Sequence, residues 1–326
     1  MGRTLVIGGT SLIGRPLVEA LLSRGDDVTV LHRSPGTPFG HRVTELRADR
    51  NDPDAVGAAL EGRSFDLVFD NVYDWQRGTT AEQVTATARA VAHGLQRYVF
   101  TSSVAVYPEG GIFPEDAELV PASFPNPYSA QKAESERALF RLADETGLQV
   151  STLRPAFVHG PWNPFEREAF FWDRLRAGRP IILPEDGQRT MQWVSAADVA
   201  RAAVLAATLE SGVNRPFNLA GEPITQAEYV RLLARVAGVE AELVPVPRKT
   251  LQAAGGDLFG PPLYFGVFLD IPPITVSGEG VRAFLGMELT PLEVGLQETF
   301  EWYRGQERPG PDVAWEDRIL ESVGGG

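Results

Sequence analysis

The chain contains no cysteine among its 326 residues. That removes disulfides, thiolate zinc sites and thiol nucleophiles, while saying little by itself about compartment. No run of about 18 apolar residues is present to span a bilayer. The first strand pattern begins almost at once, with no basic-apolar signal stretch ahead of it, so a cytoplasmic protein is the expectation. Basic residues are outnumbered: 30 Lys and Arg against 43 Asp and Glu leave a formal net charge of -13. Nucleic-acid binding draws on basic groups that release counterions, and an acidic balance opposes it. Arg137 with Arg141, and Arg174 with Arg176, read as solvated helix faces. Internal repeats are absent. An apolar content of 43% over this length is ample for a sizeable core, in one large or two interlocked domains.

What the chain does have begins at its first residues. Arg3-Thr4-Leu5-Val6-Ile7 is a β-rich apolar run that opens into Gly8-Gly9-Thr10-Ser11-Leu12-Ile13-Gly14. Helical spacing follows in Leu17, Val18, Leu21 and Leu22, then a second strand at Val28-Thr29-Val30-Leu31. Strand, glycine turn, helix, strand is the context of a dinucleotide-binding fingerprint. The glycines permit a tight turn and close backbone approach, and the helix N-terminus offers free amides to a pyrophosphate. In a GxxGxxG reading Ser11 holds the middle place, where its small side chain still permits that approach.

Strand and helix patterns go on alternating through Leu46, Pro53 to Leu60, Phe65 to Phe69, Thr80 to His93 and Tyr98 to Thr101. The spacing predicts an α/β doubly wound parallel sheet of Rossmann type. Residues 1–155, with 190–222 returning to them, are expected to form the dinucleotide-binding domain. Residues 156–189 and 223–326 are expected to form a smaller, interleaved substrate-binding lobe. Aromatic residues from Trp162 to Trp172 crowd the start of that lobe and fit either a plain core or a less polar pocket. The last residues, to Gly326, read as weakly ordered.

Asn126-Pro127-Tyr128-Ser129-Ala130-Gln131-Lys132 places a phenol and an ammonium at i and i+4 of a helix, hence on one face. A nearby cation favours phenolate, which predicts that Lys132 lowers the Tyr128 pKa and makes it a general acid or base. Thr101, Ser102 and Ser103 put hydroxyls at the C-terminal end of a sheet strand, where ligands of open α/β sheets sit.

The glycine turn, the hydroxyl cluster and the Tyr128/Lys132 pair together resemble the extended short-chain dehydrogenase/reductases, that is, the NAD-dependent epimerase/dehydratase family. Arg154-Pro155, His159-Gly160-Pro161, Val194 to Ala200 and Leu292 to Leu296 extend the likeness over nearly the whole chain. The resemblance implies an NAD(P)-dependent oxidoreductase or epimerase acting on a sugar-like or nucleotide-sugar alcohol or ketone. It makes Tyr128 the acid/base, Lys132 its cationic partner and Ser103 the hydroxyl that binds the reacting oxygen. The implied cofactor-binding set is Gly8, Thr10, Ser11, Leu12, Ile13, His32, Arg33, Ser34, Asp49, Arg50, Asn71, Val72, Thr101, Tyr128, Lys132, Pro155 and Val158. Within it, Asp49 matches the carboxylate that receives the adenine amino group. No metal is implied.

The second strand ends at His32-Arg33-Ser34 without the acidic residue that reads ribose hydroxyls in NAD-preferring members. With Arg33 there, NADP is expected over NAD, although a solvated Arg33 is the alternative. On the substrate side, Arg189 resembles the arginine that nucleotide-sugar epimerases place on a pyrophosphate; an ordinary salt bridge is its alternative. Phe157 stands where those epimerases have an asparagine, and Phe265 to Asp270 supplies no second arginine. A narrower likeness, carried by Val72-Tyr73-Asp74-Trp75-Gln76-Arg77, Gly160 to Pro164 and Leu175 to Ile181, points to the bacterial relatives of the chloroplast stem-loop-binding proteins. Those plant proteins are associated with RNA, and their pattern lacks the Tyr-xxx-Lys pair. RNA binding or cleavage and non-catalytic dinucleotide sensing are therefore the alternatives to redox chemistry. The helices near Thr80 to His93 and Tyr128 to Thr146 imply a homodimer by resemblance; Ala86, Ala90 and Ala138 suit that packing or internal packing equally.

Overall fold

A computed structural model describes residues 2–257, 263–264 and 270–324. β1 (Arg3–Ile7) is apolar and buried beyond its first residue, as a strand covered on both faces must be. It runs through the glycine turn into α1 (Gly14–Arg24), which stops because Gly25 takes the left-handed backbone of a C-cap, φ 85°. The alternation continues through β2 (Asp27–His32), β3 (Thr44–Arg47), α2 (Pro53–Leu60), β4 (Leu67–Asp70), α3 (Ala81–Val91) and β5 (Arg97–Thr101). Side chains set the helix starts: Asp52 accepts from the amides of Asp54 and Ala55, and Thr80 forms a reciprocal capping box with Gln83. After the short β6 (Ile112–Phe113), α4 (Pro127–Thr146) returns the chain to β7 (Val150–Pro155). Beyond it come β8 (Phe157–His159), α5 (Arg167–Arg176), β9 (Ile181–Pro184), β10 (Thr190–Met191), β11 (Trp193–Ser195), α6 (Ala196–Thr208) and β12 (Arg215–Leu219).

Seven strands form one parallel sheet in the order β12-β7-β5-β4-β1-β2-β3. The winding reverses between β1 and β4, which opens a crevice beyond their carboxyl ends. Alternate residues of each strand feed opposite faces, so Val6 and Phe69 pack under Leu17 and Val18 of α1 and Val199 and Ala203 of α6. Leu5, Ile7, Val68 and Phe100 pack instead under Val56, Val84, Leu139 and Leu142 of α2, α3 and α4. The expected doubly wound α/β sheet is the sheet found.

The second lobe gathers α5, α7 (Gln226–Ala237) and the helix Leu292–Arg304 around Phe171, Trp172, Trp193, Tyr229 and Phe300. The aromatic run therefore divides: Phe171 and Trp172 are core, while Trp162 stays exposed and Phe165 half-buried. Two expectations are corrected here. The last residues are not weakly ordered up to 324, because helix Ala314–Gly324 docks Trp315 and Ile319 against Ile182, Val246 and Leu251. Arg174 is not a solvated charge either; it is buried, with Nε 2.6 Å from the Glu316 carboxylate that this terminal helix brings in. Residues 265–269, read above as lacking an arginine, lie outside the described residues.

Candidate active site

α4 starts where the Asn126 side chain accepts from the amides of Tyr128 and Ser129, with Pro127 in the first turn, where a missing amide costs nothing. Tyr128 is thereby held in the first turn and Lys132 one turn on, the latter on the helix face that carries Ala133, Glu136 and Leu139 into the interior. Glu136 receives Arg154 of β7 (Nε to Oε1, 3.0 Å) and the Thr152 hydroxyl at 3.1 Å, so a buried ion pair fixes α4 against the sheet. Lys132 Nζ donates to the carbonyl oxygen of Thr101, at the end of β5, over 2.7 Å, and faces the Phe100 ring at 4.6 Å. Burial pulls its pKa down to about 8, which leaves it charged at neutral pH.

Ser103 lies two residues beyond β5 and accepts the amide of Ala105 at 3.1 Å, a contact that starts the tight turn Val104–Val106 and orients the hydroxyl. The same hydroxyl lies close enough to the Tyr128 phenol to lower its pKa. Tyr128 is partly exposed as a residue, yet its phenol is ringed by protein; burial raises its pKa, against the lowering effects of Ser103 and the Arg167 charge. The expectation that Lys132 lowers this pKa is corrected: the ammonium is turned to Thr101, and burial dominates the phenol.

Aromatic rings enclose the pair. Trp75 stacks on Tyr128 with centroids 4.7 Å and planes 25° apart, Tyr73 meets Tyr128 edge-on at 4.7 Å, and Phe165 meets Trp75 edge-on at 5.2 Å. Arg167 lies over Phe165 at 4.9 Å and Phe157 at 5.5 Å. None of these contacts was among the sequence-derived site residues. Tyr73 and Trp75 stood in a run noted only for its likeness, Phe165 belonged to the aromatic run that fitted a core or a less polar pocket, and nothing local in the sequence marks Arg167.

The groove beside β1 and β4 fits a dinucleotide. Gly8 sits at φ 82° beneath Val72, whose Cγ2 would lie 2.5 Å from an added Cβ, and a Cβ on Gly14 would strike the Gly8 carbonyl. Thr10, Ser11, Leu12 and Ile13 form the open turn between them, with Ser11 exposed. At the end of β4, Asn71 accepts the Thr101 hydroxyl at 2.6 Å, but its buried Nδ2 has no partner among the described residues; nor has the buried Ser102 hydroxyl. Unsatisfied buried donors cost free energy, and Asn71 stands just beyond the carboxyl end of β4, where ligands of open α/β sheets bind. Pro155 closes β7 and Val158 lies buried in β8.

The remaining expected residues are placed as follows. His32 is buried at the end of β2, with Nε2 3.1 Å from Glu45 Oε1 but out of line for a hydrogen bond. Arg33 and Ser34 are exposed beyond it, and Arg33 Nη1 reaches Asp74 Oδ2 at 3.1 Å. Asp49 faces outward, accepting the Asn51 amide at 2.9 Å and pairing with Arg77 at 2.6 Å. Arg50 turns the other way: it is buried against Asp70 and donates to Gln83 O and Thr87 Oγ1 at 2.9 and 2.8 Å. Its guanidinium is held by the buried Asp70 carboxylate and is not free for a cofactor. Arg189 is bound to Asp270 at 2.8 Å, and Arg248, absent from the sequence reading, holds the same carboxylate at 2.6 Å. A separate cavity lined by Asn163, Glu168, Trp172, Thr299 and Trp302 includes none of the expected site residues. Among the described residues no cluster of three or more His, Asp or Glu is placed to hold a metal, and no helix is long and apolar enough to cross a membrane.

A Rossmann-type sheet with a glycine turn at its switch point and a Ser-Tyr-Lys set beside it defines a short-chain dehydrogenase/reductase of the extended class. The chain belongs to the NAD dependent epimerase/dehydratase family, whose pattern matches residues 4–220. It is 30% identical to chloroplast stem-loop binding protein of 41 kDa b of Arabidopsis thaliana, over 74% of this chain and 65% of that protein's own length. It is 31% identical to a 3-diazoavenalumate denitrifying reductase of a Streptomyces species, over 77% of this chain and 85% of that one. Among solved structures, a Thermus thermophilus UDP-glucose 4-epimerase in complex with NAD shares the fold with TM-score 0.72 and 25% identity, covering 94% of this chain and 100% of that one.

Proposed function

We propose that this chain interconverts a ketone and a secondary alcohol on a compact ring substrate, using a nicotinamide dinucleotide. The observation that carries the reading is the Tyr128 phenol set beside the Ser103 hydroxyl, with Lys132 one helical turn on in α4 and its Nζ on the Thr101 carbonyl at the end of β5. When bound, the dinucleotide supplies or takes the hydride. Ser103 and Tyr128 would share the substrate oxygen, and Tyr128 would pass its proton to that oxygen as the carbon is reduced. Burial keeps the phenol protonated at neutral pH, which suits proton donation and hence the reductive direction. The phenolate left behind would be favoured by Ser103 and the Arg167 charge until it takes a proton from water, and Lys132 would donate to ribose hydroxyls.

Gly8, Thr10, Ser11, Leu12 and Ile13 would cradle the pyrophosphate, Asn71, Thr101, Pro155 and Val158 the nicotinamide end, and Asp49 the adenine. The family relation supports NAD; Arg33 at the end of β2 supports NADP, and NADP is the expected tighter ligand. A nucleotide-sugar substrate would have to displace Asp270 from Arg189 and Arg248, so a smaller ring compound is the better fit. RNA binding is a second reading that rests on likeness to the chloroplast protein, and the net charge of -13 opposes it. A gel shift with salt-sensitive RNA affinity would favour it.

The test is Tyr128→Phe assayed over a panel of ring ketones with NADPH and NADH. General acid catalysis contributes roughly 10²–10⁴-fold, so turnover should drop by that factor with dinucleotide affinity retained. Unchanged turnover, or no dinucleotide binding by the wild type, sinks the reading.

A further inference from the structure

The enclosure around Tyr128 has a chemistry of its own. Trp75 stacks on the catalytic phenol, and Tyr73 and Phe165 meet the pair edge-on, yet Trp75 remains 50% exposed. A large indole half open to solvent beside a catalytic group is a stacking surface for another flat ring. Facing the same cluster, Arg167 rests on the rings of Phe157 and Phe165. Its guanidinium is close enough for its charge to favour the Tyr128 phenolate, and no carboxylate pairs with it among the described residues.

The neighbouring acids are committed elsewhere. Glu166 takes Arg308 at 2.9 Å. Glu168 is buried, accepting from Asn163 at 3.1 Å and Tyr229 at 3.4 Å, and its own pKa is raised by that burial against the lowering effect of Arg167. The other arginines around the cleft, Arg33, Arg77 and Arg189, each hold a carboxylate. Arg167 is thus a cation preoriented by two rings, with donors free for a planar anion, which a guanidinium binds in bidentate fashion.

We infer that the cleft takes a planar aromatic carbonyl compound bearing an anionic group, a carboxylate or a phosphate, with Trp75 stacking on its ring and Arg167 binding the anion. This rests on the redox reading of the same site and adds its substrate class. Arg167 is a specificity residue in this account, acting on the part of the substrate remote from the reacting carbon.

The test uses the protein saturated with NADP⁺, so that a ketone forms a dead-end complex, and calorimetric titration with 4-acetylbenzoate, its methyl ester and 4-acetylphenyl phosphate. A charge-assisted pair of this kind corresponds to about tenfold or more in affinity. The acid or the phosphate should bind at least about tenfold tighter than the ester, and whichever is tighter identifies the anion. Arg167→Met should remove that preference while leaving ester and NADP⁺ affinities within about twofold, and Arg167→Lys should restore part of it. Trp75→Ala should weaken acid and ester together. The inference is overturned if wild type binds the ester as tightly as both anions, or if Arg167→Met weakens all three equally. Failure of NADP⁺ to bind at all would instead strike the redox reading, so the two failures are distinguishable.

Discussion

The ammonium of Lys132, 3% exposed, is satisfied by the Thr101 carbonyl at 2.7 Å and touches no carboxylate among the described residues. A charged amine buried in this way costs stability. Because its folded pKa is lowered from 10.5 to about 8, the unfolded chain binds the proton more tightly than the fold does.

Below about pH 8 the whole penalty is present, on the order of 3 kcal/mol; it fades as the pH climbs through 8 towards 10.5. Wild type should therefore gain stability relative to Lys132→Met between pH 7.5 and 10, measured by urea unfolding at each pH, while the variant is inactive throughout. A stability difference that stays constant over that window contradicts the account.

His159 makes the corresponding prediction in acid. It is buried beside Thr299 (Nδ1 to Oγ1, 3.4 Å) and packed close under Gly295, and burial lowers its pKa from 6.5 to about 4. The fold holds it neutral, so its contribution is complete above about pH 6.5 and is lost as the pH falls through 4. His159→Gln should flatten the stability–pH slope between 6.5 and 4 by up to about 1.4 kcal/mol per pH unit. An unaltered slope would show that the imidazole binds its proton in the fold as it does in the unfolded chain.

Asp70→Asn should leave Arg50 as an unpaired buried charge and also disturb the Tyr98 hydroxyl, which donates to the same carboxylate at 2.7 Å. Loss of one partner of a buried pair costs roughly 3–5 kcal/mol. Denaturant titration should find that loss, and Asp70→Asn combined with Arg50→Met should recover part of it. No recovery in the double variant would mean the pair is not what matters there.

Arg33→Met should weaken NADP binding by about tenfold, the value of one charge-assisted phosphate contact, and leave NAD unchanged. Equal losses for both cofactors would assign Arg33 to its bond with Asp74 alone.

Much of this was legible from local pattern. The glycine turn could be read because a strand, a tight turn and a helix N-terminus are adjacent in the chain, and their chemistry is that of consecutive residues. Tyr128 and Lys132 could be placed on one face because a helix repeats every 3.6 residues. The same reasoning could not separate Asp49 from Arg50. Adjacent residues part according to what each meets, and Arg50 meets a buried carboxylate 20 positions further on.

Sequence by itself determined the sheet, the dinucleotide turn and the Tyr-Lys pair, since each is set by short-range periodicity and by residues whose backbone preferences are strong. Only tertiary structure decided the environment of the phenol. Trp75, Phe165 and Arg167 come from separate loops and a second lobe, and whether burial or a cation governs Tyr128 depends on distances that no local pattern encodes. Charge and desolvation act through space, so the direction of that pKa became readable only once the chain had folded around it.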